Sequence, residues 1–278
     1  MNILRYPEKE SWAELLKRPE LNLESLEDQV QKIIKDVAKK GDRAVKDYTR
    51  EFDGYEADSL ELGKEEIRKA GQQVSHTLKR AIDEAHWNIL TFHKKQIHQS
   101  ETIVTTAGVR CWQKPVPISK VGLYIPGGSA PLLSTVLMLG IPAKIAGCSE
   151  VFMCTPPDKK GEISPAILYI ADLLGIDRVF RVGGVQAIAA MAYGTETIPA
   201  VNKIFGPGNQ YVTMAKQIVS RYTVAIDMPA GPSELAVIAD ATSNPAFIAS
   251  DLLSQAEHGS DSQVLLVSDS GNMIDRVK

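Results

Sequence analysis

Apolar residues recur at helical spacing through the first part of the chain. Leu26, Val30, Ile33, Ile34 and Val37 form one stripe. Val74, Leu78, Ala81, Ile82, Ala85 and Ile89 form a longer one. Charged residues cover the opposite faces, so these helices pack on something rather than stand alone. Gly41 is placed to end the first, and 54–63 reads as a connecting loop.

The period then changes to two. Thr102–Thr106, the pair Ala107-Gly108, and Val109–Gln113 predict a β-hairpin on a two-residue turn. From Lys120 to Met228 short apolar runs alternate with helical segments. The predicted strands are Val121–Ile125, Val151–Thr155, Arg178–Val182, Lys203–Phe205 and Thr223–Ile226. The predicted helices between them are Leu132–Ala146, Pro165–Leu174, Val185–Tyr193 and Gln210–Ser220. Unbroken apolar strands with helical crossovers predict a parallel sheet covered on both faces, in a Rossmann-like layer structure. After Asp227–Ser233 the alternation resumes: strand Leu235–Ala239, helix Ala246–Glu257, strand Gln263–Ser268. These last elements are expected to form a second α/β unit with the N-terminal helices. Residues 1–119 would then pack with 233–278, and 120–232 would form the nucleotide-side unit. Met273, Ile274 and Val277 are spaced like a helix that Lys278 cuts short, so the reading expects a truncated chain.

Bulk properties narrow the classes. At 278 residues there is room for more than one core. A net charge of −3 argues against nucleic-acid or anionic-membrane partners. Apolar runs such as Leu132–Leu139 are too short to span a bilayer. The N-terminus turns acidic at Glu8 without a signal-peptide core, and Cys111, Cys148 and Cys154 form no CxxC pair, so a cytoplasmic protein without disulfides is expected.

Candidate chemistry concentrates in loops after predicted strands. Gly206-Pro207-Gly208-Asn209 runs from a strand into a helix start, where free N–H groups suit an anion; taken alone, it reads rather as a tight turn with Asn209 as cap. Tyr124-Ile125-Pro126-Gly127-Gly128 and Gly183-Gly184-Val185-Gln186 sit at equivalent strand ends, where open α/β sheets bind ligands. Each pair of glycines is also an ordinary structural turn. Near the end, Gln255 and His258 lie three apart on a helix that Gly259 should close. That spacing puts both on one face, with Cβ atoms roughly 5–6 Å apart. They could share a metal ion; a histidine interacting with the helix dipole is the alternative. Cys148 and Cys154 read as small buried hydrophobes. His76, His86, His93 and His98 read as a solvated or packing surface.

Several blocks together resemble one family. They are Tyr124–Gly128, Gly183–Ala190, Gly206–Asn209, Val212–Lys216, Ile226–Glu234 and Asp251–Gly259. In this order they resemble the histidinol dehydrogenases, and the resemblance runs to Lys278. It implies an α/β fold of two incomplete Rossmann-like units, aldehyde-dehydrogenase-like, with an α-helical N-terminal region. It implies NAD-dependent, zinc-requiring oxidation of L-histidinol to L-histidine through L-histidinal. It further implies that Tyr124, Gln186 and Asn209 contact NAD, that Ser233, Gln255 and His258 contact substrate, and that Gln255 and His258 ligate Zn2+. The family's remaining zinc ligands, an Asp and a His, and its acid/base Glu-His pair belong to a C-terminal portion beyond Lys278. No catalytic residue is therefore assigned here, and full activity is not expected of this chain alone. The family dimerises, each site borrowing residues from its partner's tail. Two alternatives stand beside this reading: a relative acting on another amino or sulfonate alcohol, and a folded, inactive nucleotide-binding fragment.

Overall fold

A computed structural model of the chain describes residues 2–17, 23–127, 131–229, 234–257 and 262–278. It divides into two compact units, residues 24–229 and residues 1–23 with 230–278.

In chain order a short helix α1 (Trp12–Leu15) comes first. The larger unit then runs through α2 (Leu23–Lys40), α3 (Asp42–Asp53), α4 (Lys64–Ala70) and α5 (His76–Lys94). A hairpin follows, β1 (Ile103–Thr106) and β2 (Val109–Cys111). Strand and helix then alternate: β3 (Lys120–Tyr124), α6 (Leu133–Ile145), β4 (Glu150–Thr155), α7 (Pro165–Leu173), β5 (Val179–Arg181), α8 (Gly184–Tyr193), β6 (Lys203–Phe205), α9 (Gln210–Ser220) and β7 (Ala225–Ile226). The smaller unit ends with β8 (Glu234–Ala239), α10 (Pro245–Ala256), β9 (Gln263–Ser268) and α11 (Gly271–Val277).

The larger unit is built on a five-stranded sheet in the order β5-β4-β3-β6-β7. Every neighbouring pair is parallel. Alternate residues of each strand enter different cores. Val121, Leu123, Met153 and Val179 join residues of α5, α6 and α7. Tyr124, Phe152, Cys154, Phe180 and Ile204 join residues of α2, α3, α8 and α9. That is why the strands read as continuous apolar runs: both faces are covered. Each large aliphatic side chain so buried contributes about 1.5–3 kcal/mol.

One expectation needs correction. The grouping of residues 1–119 with 233–278 differs from the observed division, in which residues 24–119 lie with the five-stranded sheet. The physical reason is visible in the core, where Leu26, Val30, Ile34 and Val37 bury in one cluster with Ile188, Met191, Val212 and Val219. The stretch after Gly41 also forms a separate helix, α3, burying Ala44, Val45 and Thr49. The 54–63 loop does more than connect. Leu62 N–H donates to the Val179 carbonyl at 2.9 Å, and Arg181 N–H to that of Leu60 at 2.8 Å, which covers the outer edge of β5.

In the smaller unit β8 and β9 pair in parallel, from Glu234 opposite Gln263 to Ala239 opposite Ser268. Ile248 and Leu252 of α10 and Met273 and Val277 of α11 bury with Ala239. Asn244 caps α10 by accepting from Ala246 N–H at 3.0 Å, with Pro245 at the first helical position. Among the described residues no helix is long and apolar enough to cross a membrane.

Candidate functional site

The strand order reverses direction between β3 and β6, since from β3 the chain moves first to β4 and β5, then across to β6 and β7. Ligands of open α/β sheets bind at such a point, beyond the carboxyl ends of the strands. The loops there are in close contact. A Cβ on Gly127, after β3, would lie 2.6 Å from Pro156, and one on Gly183, after β5, would lie 2.5 Å from the same ring. A Cβ on Gly206, after β6, would lie 2.0 Å from the Tyr124 carbonyl oxygen. Only glycine permits this approach, and Gly206 also takes a φ of +134°. The segments carrying Tyr124, Gln186 and Asn209 thus converge on one edge of the sheet.

Tyr124 ends β3 with only 4% of its surface exposed. Its hydroxyl oxygen accepts from Gly184 N–H at 3.1 Å, at the start of α8. Burial pushes its pKa up to about 12, so the hydroxyl stays protonated and able to donate. Gln186, in the first turn of α8, is 1% exposed, yet neither its Oε1 nor its Nε2 has a hydrogen-bond partner. An unsatisfied buried amide costs about 1–3 kcal/mol. Such a group asks for an explanation, and a ligand that pairs with it is one. Asn209 is exposed and caps α9, its Oδ1 accepting from Val212 N–H at 3.1 Å. The capping alternative is therefore realised; it occupies the carbonyl side of the amide only.

Residues that the sequence reading assigned no role complete the edge. Lys216 is 4% exposed; its Nζ donates to the Gly206 carbonyl at 2.7 Å and pairs with Asp227. Asp227 Oδ2 accepts from Gly206 N–H at 2.8 Å. Lys216 carried a signal, a lysine within the apolar stripe Val212, Ala215, Val219. Asp53, the last residue of α3, has a buried Oδ2 without a partner, and burial pushes its carboxyl up to about 6. It had no sequence signal, being one acid in a charged helix.

In the smaller unit Gln255 lies on the last turn of α10, which ends at Ala256 with Glu257 as cap. It is half-buried, and its Nε2 donates to Ser262 Oγ at 3.3 Å. That bond leaves its carbonyl oxygen, the atom able to meet a hard or borderline cation. Ser233, His258 and Gly259 lie outside the described residues. Among the described residues no group of three or more His, Cys, Asp or Glu side chains could hold a metal ion. His93 Nδ1 is engaged with Gln96 Oε1 at 2.7 Å, and His76 and His98 are exposed. Cys154 is fully buried, and burial drives its thiol pKa up, keeping it an unreactive thiol, which suits a packing role.

Comparison with known proteins bears on this edge. Residues 16–278 match the histidinol dehydrogenase family model. A histidinol dehydrogenase of Bacteroides thetaiotaomicron is 61% identical over 270 residues, 97% of this chain and 63% of the relative. One from Shewanella oneidensis is 54% identical over 92% of this chain and 60% of its own length. The chain thus spans under two-thirds of these relatives. A crystal structure of histidinol dehydrogenase from Elizabethkingia anophelis superposes with a TM-score of 0.91 at 51% identity, covering 98% of this chain and 63% of that one. A Burkholderia cenocepacia protein assigned as an aldehyde dehydrogenase superposes with a TM-score of 0.50 at 14% identity, a likeness of fold alone.

Proposed function

The chain belongs to the histidinol dehydrogenase family, and from that premise we propose that its larger, Rossmann-like unit binds NAD at the β3/β6 crevice. The complete protein would oxidise L-histidinol to L-histidine through L-histidinal, in histidine biosynthesis, as a cytoplasmic homodimer. The observation that carries the nucleotide reading is Gln186: a buried amide with no partner, at the carboxyl edge of a parallel sheet, among loops packed too tightly for a Cβ.

Bound NAD would supply the hydride acceptor, and Zn2+ a Lewis acid to help hold the substrate. The chain's own residues orient and exclude. Tyr124 offers a neutral hydroxyl that stays protonated through the physiological range. Gln186 offers a donor and an acceptor from one rigid, buried position. Gly206 brings bare backbone close to the ligand, held from both sides by Lys216 and Asp227. Asn209 contributes its amide from the start of α9. Ser233, Gln255 and His258 would hold substrate, with Gln255 and His258 supplying part of the zinc sphere. The acid/base pair belongs to the portion of the family that follows Lys278. Retaining the aldehyde requires a site closed to water.

Calorimetric titration of the 278-residue chain with NAD and with zinc tests the reading. We expect NAD binding that Gln186→Leu weakens, and zinc binding that His258→Ala removes. Absence of nucleotide binding refutes the NAD assignment. NADH formation from histidinol in a longer protein, and none from other amino or sulfonate alcohols, tests the substrate. Nucleotide binding without turnover or metal affinity would instead favour an inactive binding module.

A further inference from the structure

Asp53 stands where a fold gains nothing from an acid. It is the last residue of α3, with Gly54 as the left-handed cap, so its charge faces the negative end of a helix dipole. Its Oδ2 is buried, and among the described residues no donor or cation partners it. An asparagine would fill the same space without the desolvation of a charge. A carboxyl that opposes stability on both counts belongs to a ligand rather than to the scaffold.

Its surroundings identify the ligand class. The residues that follow Asp53 lie against the loop after β4: a Cβ on Gly54 would sit 4.0 Å from Lys159, and one on Gly161 would meet the Tyr55 ring. That loop begins at Pro156, against which Gly127 and Gly183 pack, and the Asp53 carboxylate is near enough to help raise the pKa of the Tyr124 hydroxyl. It therefore lies at the edge that also carries the unpaired amide of Gln186 and the close-packed Gly206. The missing partner must bring hydrogen-bond donors, because an ionised carboxylate only accepts. In dinucleotide sites those donors are the ribose hydroxyls, and an acid that reads them disfavours a phosphate at the 2′ position.

We propose that Asp53 is a specificity-determining residue, accepting hydrogen bonds from the adenosine ribose hydroxyls and so selecting NAD over NADP. This rests on the nucleotide reading above. The acid would discriminate by two routes: the hydroxyl donor it loses when the ribose is phosphorylated, and repulsion between two anions in a partly desolvated crevice.

The test compares the 278-residue chain with its Asp53→Asn form, by calorimetric titration with NAD and with NADP and by thermal melting at pH 7. The unaltered chain should prefer NAD. Asp53→Asn should bind NAD about tenfold more weakly and narrow the NAD:NADP ratio by about tenfold, the effect of one lost charge-assisted hydrogen bond. It should also melt higher, which a scaffold role would not allow. Equal preference for the two nucleotides in the unaltered chain overturns the inference. So does an unchanged ratio in Asp53→Asn, or a lower melting temperature. If the unaltered chain binds neither nucleotide, the NAD reading itself fails and this inference falls with it.

Discussion

Lys216 and Asp227 form an ion pair that grips Gly206 from both sides. The lysine Nζ donates to the Gly206 carbonyl at 2.7 Å, and the aspartate Oδ2 accepts from its N–H at 2.8 Å. The pair fixes the turn that leads into Asn209 and α9. Its two residues sit eleven apart, on α9 and just after β7, so helix, strand and loop are tied together at one point.

Breaking the pair from the lysine side should therefore be costly. Removing one partner of a buried ion pair costs about 3–5 kcal/mol, because the other charge stays uncompensated. Asp227 retains partial exposure, with 28% of its side chain accessible, which lowers the expectation for Lys216→Met to about 2 kcal/mol. Urea unfolding measures this. A loss below a few tenths of a kcal/mol would mean the pair does not hold the turn.

Gly206→Ala should be worse for binding than for folding. The new methyl would approach the Tyr124 carbonyl oxygen to 2.0 Å, and φ is +134°. The backbone must move, at a cost of about 1–3 kcal/mol for the strained conformation alone. Because β3 and the Gly206 turn then separate, nucleotide affinity should fall beyond detection by calorimetry. Wild-type affinity in Gly206→Ala would show that the ligand lies elsewhere.

Gln186→Leu should leave the free protein as stable or up to about 1 kcal/mol more stable, since the amide it removes is buried without partners. The same change should weaken NAD binding about tenfold or more. Thermal melting and titration on one sample separate the two effects. A strongly destabilised variant would mean that the amide has a structural partner.

Asp53 gives the pH dependence. Its carboxyl is raised to about 6 from an ordinary value of 3.8, by burial. A raised folded-state value means the folded chain binds the extra proton. The associated stability is present in full below about pH 4 and is lost as pH rises through about 6. Asp53→Asn lacks that loss. Its advantage should be absent at pH 4 and reach about 1 kcal/mol by pH 7, after allowance for solvent screening of a half-buried group. Denaturation at the two pH values checks this. A difference that does not change between them would remove the titration from the account.

Much of the architecture was legible before any coordinates. The strands beginning near Val121, Val151, Val179 and Lys203, and the helices between them, follow from apolar runs and helical stripes. So do the glycine-bearing ends at Gly127, Gly183 and Gly206. α3 was not separated from its neighbours because it buries few side chains, Ala44, Val45 and Thr49 among charged residues. Lys216 stood out of its stripe but had no visible partner, since Asp227 and Gly206 reach it only through the packing of β6, β7 and α9.

Local periodicity by itself determined that this chain builds a parallel sheet with helices on both faces, because the spacing of apolar residues is a property of short segments. Tertiary structure alone decided which helices cover which sheet, and that the end of α3, with Asp53, lies against the loop after β4 at the edge that carries Tyr124, Gln186 and Gly206. A stripe states that a face must be buried without naming its counterpart. A polar atom left unpaired in the interior is defined only once everything around it has taken its place.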